Sequence, residues 1–235
     1  MNVFAIITGS SSGIGKAIAE ELLLRDDTHV LGISRKQTIQ HPRYRHLTAD
    51  LSNREVLQNM DFNIPMGIQK AILINNAGKI EPIGSIETLE SDEVISHFIL
   101  NVIAVQALTA AFIRQTNEET DRHIINISSG AGKYPVKGWA TYCASKAAVD
   151  ALSKVVAEEH PDIRVWAMAP GIVDTPMQQT IRGTSEEQFA ERQRFVDYHK
   201  NGELKNPRDI ARVFVDLLGN PEKVTQTVFS LRDFT

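Results

Sequence analysis

In the run SSGAGKYPVKGWATYCASK (128–146), Tyr142 stands four residues before Lys146. Positions i and i+4 of a helix share a face, so the phenol and the ammonium group meet on one side of the segment. A phenol at its ordinary pKa of about 10 exchanges protons poorly at neutral pH. A cation about 5 Å away, at an effective dielectric near 20, favours the phenolate by on the order of 3 kcal/mol. Desolvation pushes the other way. The pair therefore predicts a phenol somewhat below its ordinary pKa, able to give or take a proton. Two serines, Ser128 and Ser129, lie upstream. A hydroxyl brought to the same place would stabilise an oxygen that gains negative charge. Each residue alone has an ordinary use, since a tyrosine at a helix start packs and a serine after a strand turns the chain.

A second constellation is TGSSSGIG (8–15), which offers Gly9, Ser11, Ser12, Gly13, Ile14 and Gly15 between an apolar run and an amphipathic one. Gly9 and Gly13 allow close approaches that a side chain would block, and Gly15 lets a helix pack against a sheet. Free N–H groups and the positive end of that helix suit a pyrophosphate. The spacing is G-x-x-x-G-x-G rather than G-x-G-x-x-G, and a tight strand-to-helix turn is its plain alternative. Its place after the first strand of an alternating chain favours a dinucleotide. About 20 residues past such glycines, Asp or Glu reads a ribose 2′-hydroxyl. Here Ser34, Arg35 and Lys36 stand instead. With no carboxylate to repel a 2′-phosphate and a guanidinium to bind it, the expected cofactor is NADP(H). In the ADLS turn, Asp50 and Leu51 are placed for the adenine, with Asp50 accepting from its amino group; an exposed turn aspartate is the alternative.

The elements that must carry these groups alternate. Short apolar runs at 2–8, 29–34, 44–52, 70–78, 123–129, 162–171 and 225–231 read as strands. Helical spacing covers the segment after Gly13, a long apolar stretch at 92–116, an alanine-rich stretch at 139–159, and 185–200 and 207–218. Strands separated by helical lengths predict an α/β fold, a doubly wound parallel sheet with helices on both faces. No linker or repeat divides the chain, so 1–235 reads as one domain. Its 235 residues, 42% hydrophobic, can build a sizeable core. The net charge of -4 and scattered basic residues argue against nucleic acid. The one cysteine, Cys143, excludes a disulfide framework and suits a reducing compartment. The histidines show no metal spacing. The apolar stretch 98–113 is broken by Asn101 and Gln106 and falls short of a bilayer span, which leaves a cytoplasmic location without membrane contact.

TGSSSGIG, NNAG at 75–78, Asn101 in LNVIA, INISS, Tyr142-x-x-x-Lys146 and PGIVDT at 170–175 follow one another in the order and spacing of the short-chain dehydrogenase/reductase family. The chain resembles that family over essentially its whole length, and within it looks most like the sepiapterin and benzil reductases. The resemblance implies a Rossmann fold and reduction of a small carbonyl substrate. It assigns the hydroxyl to Ser129, thirteen residues before the tyrosine, rather than Ser128. It makes Tyr142 the proton donor, has Lys146 bind the nicotinamide ribose, and gives Asn101 a share in a water relay beside Lys146. It places Asn76, Ala77 and Gly78 by the adenosine ribose, with Asn76 as its side-chain partner. Pro170 and Gly171 present the Ile172 N–H to the nicotinamide carboxamide, and Thr175 meets the amide or a phosphate unless it is spent as an N-cap.

The polar segment 176–204 suits a substrate lid. Tyr134, Val136, Trp139 and Met177 are candidate pocket walls, with packing as the alternative. The apolar helices at 92–116 and 139–159 are where family members pair, so a homodimer or homotetramer is expected. Near the C-terminus, where sepiapterin reductases carry a carboxylate for the pterin, this chain has Ser230, with Asp233 three residues on. That favours a flat aromatic diketone over a pterin. A non-catalytic nucleotide-binding regulator and an NAD-linked alcohol dehydrogenase are the competing functions. The intact Ser129, Tyr142 and Lys146 count against the first, and the lack of an acid near Ser34 against the second.

Overall fold

A computed structural model describes residues 2–234. In chain order the elements are β1 (Val3–Thr8), α1 (Gly13–Leu23), β2 (Thr28–Ser34), β3 (Tyr44–Thr48), α2 (Arg54–Gln58), β4 (Lys70–Asn75), α3 (Ser91–Phe98), a π-helical segment (Ile99–Ile103), α4 (Ala104–Gln115), β5 (Asp121–Ile127), α5 (Ala140–Glu159), β6 (Ile163–Ala169), α6 (Pro176–Gly183), α7 (Arg192–Lys200), α8 (Pro207–Gly219) and β7 (Val228–Ser230). The strands form one parallel sheet in the order β3-β2-β1-β4-β5-β6-β7. The chain reverses direction across the sheet between β1 and β4, and a crevice opens there at the strands' carboxyl ends.

Strand alternation sorts the side chains onto two faces. Ala5 and Ile7 join Ile18, Leu22, Phe214 and Leu217 on the face covered by α1 and α8. Phe4 and Ile6 join Leu108, Phe112 and Val156 on the face covered by α4 and α5. Because both faces are buried, the central strands read as continuous apolar runs rather than alternating ones. Helix starts follow local chemistry. Asn206 accepts from the Arg208 N–H at 2.9 Å with Pro207 in the first turn of α8, and Asn53 accepts from the Glu55 N–H at 2.9 Å to start α2.

Several expected boundaries move. The run 44–52 stays extended only to Thr48, because the Asp50 carboxylate accepts from the Ser52 N–H at 2.9 Å and curls the chain. The 185–200 segment is helical only from Arg192, and a separate helix, α6, precedes it with Pro176 at its start. The 225–231 strand pairs only over Val228–Ser230. Ser91–Gln115 runs as one continuous helical rod, long and apolar enough by length and hydropathy to cross a bilayer. The rod agrees with the helix read at 92–116 and corrects only the judgement, made on 98–113, that its apolar part falls short of a bilayer span. Here the rod's Ala104, Leu108, Ala111 and Phe112 pack into the core instead.

Candidate active site

A cleft of about 970 Å³ runs over the carboxyl ends of the strands. It gathers Gly9, Ser11, Ser12, Gly13, Ile14, Ser34, Arg35, Asp50, Leu51, Asn76, Ala77 and Gly78 at one end. Ser129, Trp139, Tyr142, Lys146, Pro170, Gly171, Ile172, Thr175 and Met177 line the other. Three expected residues, Lys36, Gly15 and Asn101, stand apart from this lining. Lys36 lines no part of the cleft, and its carbonyl accepts the Ser34 hydroxyl at 2.9 Å, so of this turn only Arg35 carries its charge to the wall. Gly15 lies behind the wall, where its role is spacing.

The glycine loop and the NNAG turn are stitched together. Gly9 has φ +67°, and a Cβ there would sit 2.8 Å from Asn76 Nδ2. A Cβ on Gly15 would meet the same nitrogen at 2.3 Å and the Gly9 carbonyl oxygen at 2.6 Å. Asn76 Nδ2 donates to the carbonyls of Thr8 (2.9 Å) and Gly9 (3.3 Å), while Thr8 Oγ1 accepts from the Asn76 and Ala77 N–H groups, both at 2.9 Å. Both amide hydrogens of Asn76 are thus turned inward. Nδ2 holds the loop, which leaves Oδ1 as the side-chain atom that would meet the ribose expected there. The bare backbone that results is a cradle that side chains would fill, and it fits a dinucleotide pyrophosphate. Beside it, the Ser52 hydrogen bonds hold the Asp50 carboxyl below its ordinary range against slight desolvation, with Arg35 and Lys79 adding to the effect.

At the other end α5 delivers Tyr142 and Lys146 from one face. The two upstream serines separate. Ser128 Oγ donates to Asp150 Oδ1 at 2.5 Å, whereas Ser129 accepts from the Ala131 N–H at 3.2 Å and its hydroxyl faces the Tyr142 phenol closely enough to favour the phenolate. Lys146 Nζ donates to the Ile127 carbonyl at 2.7 Å and lies 5.6 Å from the Tyr142 ring centre. Burial pushes the Tyr142 phenol up to about 12, with Ser129 pulling it down and Cys143 pushing it up. Burial pushes the Lys146 ammonium down to about 8, against the opposing charge of Asp150. The direction at Tyr142 is opposite to the sequence expectation. Lys146 is present as foreseen, but the cost of taking a phenolate out of water sets the direction. Tyr142 is accordingly a protonated group at neutral pH, suited to giving a proton.

Asn101 sits in the π-helical segment, buried to 1%. Its Oδ1 accepts from the Lys79 N–H at 3.0 Å, and its Nδ2 donates to the Lys79 carbonyl at 2.8 Å. Thr175 stands at the N-cap position of α6 with no side-chain capping bond, so its hydroxyl is not spent there. Trp139 stacks on Phe189 at 5.1 Å and 10°, touches Phe195 at 5.3 Å and meets Tyr142 edge-on at 5.7 Å. Val136 and Met177 pack on this cluster, while Tyr134 stands 71% exposed at the rim. Ser230 and Asp233 both reach the cleft, where Asp233 Oδ2 accepts from the Ser230 N–H at 3.2 Å. Sequence reasoning passed over Thr8, His97, Asp150 and Phe189. Asp150 follows Lys146, and His97 precedes Asn101, by the same four-residue interval that marked Tyr142.

A family model described as short chain dehydrogenase matches residues 3–186. A benzil reductase ((S)-benzoin forming) from Bacillus cereus is 35% identical, over 93% of this chain and 95% of the relative. A sepiapterin reductase from Bos taurus is 30% identical, over 92% of this chain and 89% of the relative. Among solved structures, the KRED1-Pglu enzyme superposes with a TM-score of 0.84 at 28% identity, covering 92% of this chain and 94% of that one.

Proposed function

Since the chain belongs to the short-chain dehydrogenase family of oxidoreductases, we propose that it is an NADPH-dependent carbonyl reductase acting on aromatic 1,2-diketones. The convergence of Ser129, Tyr142 and Lys146 on the cleft that also holds the glycine loop carries this reading. When bound, reduced nicotinamide supplies the hydride. Gly9, Gly13 and the start of α1 hold its pyrophosphate, and Arg35 takes the 2′-phosphate. Ser129 donates a hydrogen bond to the substrate carbonyl oxygen, and Tyr142 gives that oxygen its proton. Lys146 holds the nicotinamide ribose and lends positive potential to the phenol that is losing its proton. The aromatic wall of Trp139, with Met177, offers a flat apolar surface to an aryl ketone. The exposed Ile95, Ile103 and Val155 on the α3–α4 rod and α5 favour pairing of two copies through these helices.

The benzil reductase relatives support the diketone, as does Ser230 at the tail position. The experiment compares benzil with sepiapterin, and NADPH with NADH, on one preparation. Benzil should show the higher kcat/KM, and NADPH should bind at least about tenfold tighter than NADH. Arg35→Ala should erase most of that cofactor preference. A clear preference for sepiapterin would assign the anchoring to Asp233, and equal affinity for the two cofactors would remove Arg35 from its role.

A further inference from the structure

His97 is fully buried in α3, does not line the cleft and belongs to no motif used above. It touches three segments of the site at once. Its Nδ1 lies 2.6 Å from the Glu81 carbonyl oxygen, after the NNAG turn. Its Nε2 lies 3.0 Å from Asn101 Nδ2 and 2.9 Å from Ser145 Oγ on α5. Its ring meets the Tyr142 ring edge-on at 6.2 Å.

The partners assign its protons. A carbonyl only accepts, so Nδ1 carries hydrogen. Asn101 cannot be turned around, because its Oδ1 accepts from the Lys79 N–H while its Nδ2 donates to the Lys79 carbonyl. The remaining Nδ2 hydrogen therefore points at Nε2, which must accept. The Ser145 hydroxyl lies 2.8 Å from the Tyr142 carbonyl and 2.9 Å from Nε2, and in the Nδ1–H tautomer its single proton turns to Nε2 as a second donor there. A proton on Nε2 would face the Asn101 amide donor to donor. The charged groups around the ring are Lys79 and Glu81 from the NNAG side and Lys146 from α5. Burial holds the imidazole below its ordinary pKa. The Glu81 carbonyl opposes that, Lys79 and Lys146 reinforce it, and the Glu81 charge opposes it.

We propose that His97, as the neutral Nδ1–H tautomer, is a positioning residue that locks the Asn101 amide between the NNAG turn and the helix bearing Tyr142 and Lys146. One uncharged ring ties the cofactor end of the cleft to the proton-donating end. Protonation of the ring releases the tie, so turnover falls as pH drops below the neutral range.

Only the kinetic arm of the test rests on the carbonyl-reductase reading. Imidazole nitrogen chemical shifts of isotope-labelled protein should show a neutral ring with the proton on Nδ1 at neutral pH; a charged ring or the Nε2–H tautomer overturns the proposal. His97→Gln keeps an N–H for Glu81 and an oxygen for Asn101 without titrating. It should keep neutral-pH kcat within about threefold and lose the acidic fall in kcat seen in the unmodified protein. If the fall persists unchanged in His97→Gln, the pH coupling is wrong. His97→Leu fills the space without polar atoms, so kcat should drop at least about tenfold while KM for the ketone changes little. Should His97→Leu fold and keep its kcat, the lock has no function; should it fail to fold, the His97→Gln profile and the tautomer decide. A protein that reduces no ketone at all would defeat the functional reading, while the tautomer measurement would still decide whether His97 holds Asn101.

Discussion

The two ends of the cleft are built from different forces. The cofactor end is knitted by main-chain groups: Asn76 and Thr8 tie the NNAG turn to the glycine loop through four hydrogen bonds between 2.9 and 3.3 Å, over glycines that leave no room for a Cβ. The substrate end is closed by stacked rings, with Phe189 and Phe195 from the 176–204 segment covering Trp139. Each end leaves buried polar atoms without a hydrogen-bond partner, Trp139 Nε1 and Gln178 Oε1 where the rings close and Asn75 Oδ1 at the NNAG turn. Directional bonds fix geometry before anything binds, while stacked rings exclude water and slide at small cost. The cleft thus joins a preformed cradle to a wall of stacked rings, an arrangement that would suit one constant cofactor and varied substrates.

Breaking the cradle should have the largest effect. Gly15→Ala places a methyl within 2.6 Å of the Gly9 carbonyl and 2.3 Å of Asn76 Nδ2. Overpacking of this kind costs roughly 1–3 kcal/mol, so the melting temperature should fall and cofactor affinity should drop about tenfold or more. Both are read by thermal melts and by titration of NADPH fluorescence. A normal affinity would mean that the loop is not the binding element.

Breaking the lid should be selective. Phe189→Ala removes the ring stacked on Trp139, a change that costs roughly 3–5 kcal/mol in a rigid core. In a lid, much of that falls on closure rather than global stability. KM for the diketone should rise about tenfold while cofactor affinity stays within about twofold. Steady-state kinetics beside the cofactor titration separates the two, and a parallel loss of both would show that the ends are one cooperative unit.

The smallest effect sharpens the electrostatics of the proton-donating corner. Lys146 titrates near 8 because burial disfavours its charge. It is therefore an ammonium at pH 7 and loses that charge as pH rises through 8. kcat/KM for NADPH, which reports the free protein, should be flat near neutrality and decline above about pH 8. A profile flat to pH 10 would mean that Asp150 holds the charge more firmly than burial weakens it.

Periodicity and punctuation made the parallel sheet legible, because Ile-, Val- and Ala-rich runs ending in Gly or Asn have few other uses. The Tyr142–Lys146 pair was legible for the same reason, since a four-residue interval within a helix is a contact. What depends on the third dimension was not. The sign of the Tyr142 shift turns on burial, which no spacing reports. The inward turn of Asn76 depends on how near α1 approaches the NNAG turn. His97 carries no motif, and its meaning arises only where Glu81, Asn101 and Ser145 converge on one ring. A helix beginning at Pro176 was open in the N-cap alternative for Thr175, whereas the late start of α7 at Arg192 was not legible, and the aromatic anchors Phe189 and Phe195 act through Trp139, far away in the chain.

The central claim is that Tyr142 gives the proton while the cradle, built elsewhere, holds the cofactor. Loss of nicotinamide absorbance with benzil, measured for the unmodified protein and for Tyr142→Phe beside NADPH binding to each, tests it most directly. The account predicts that the substitution lowers kcat by about 100-fold or more, the scale of a lost general acid, with NADPH affinity changed by less than about threefold. A Tyr142→Phe protein that still turns over at near its original rate would contradict it.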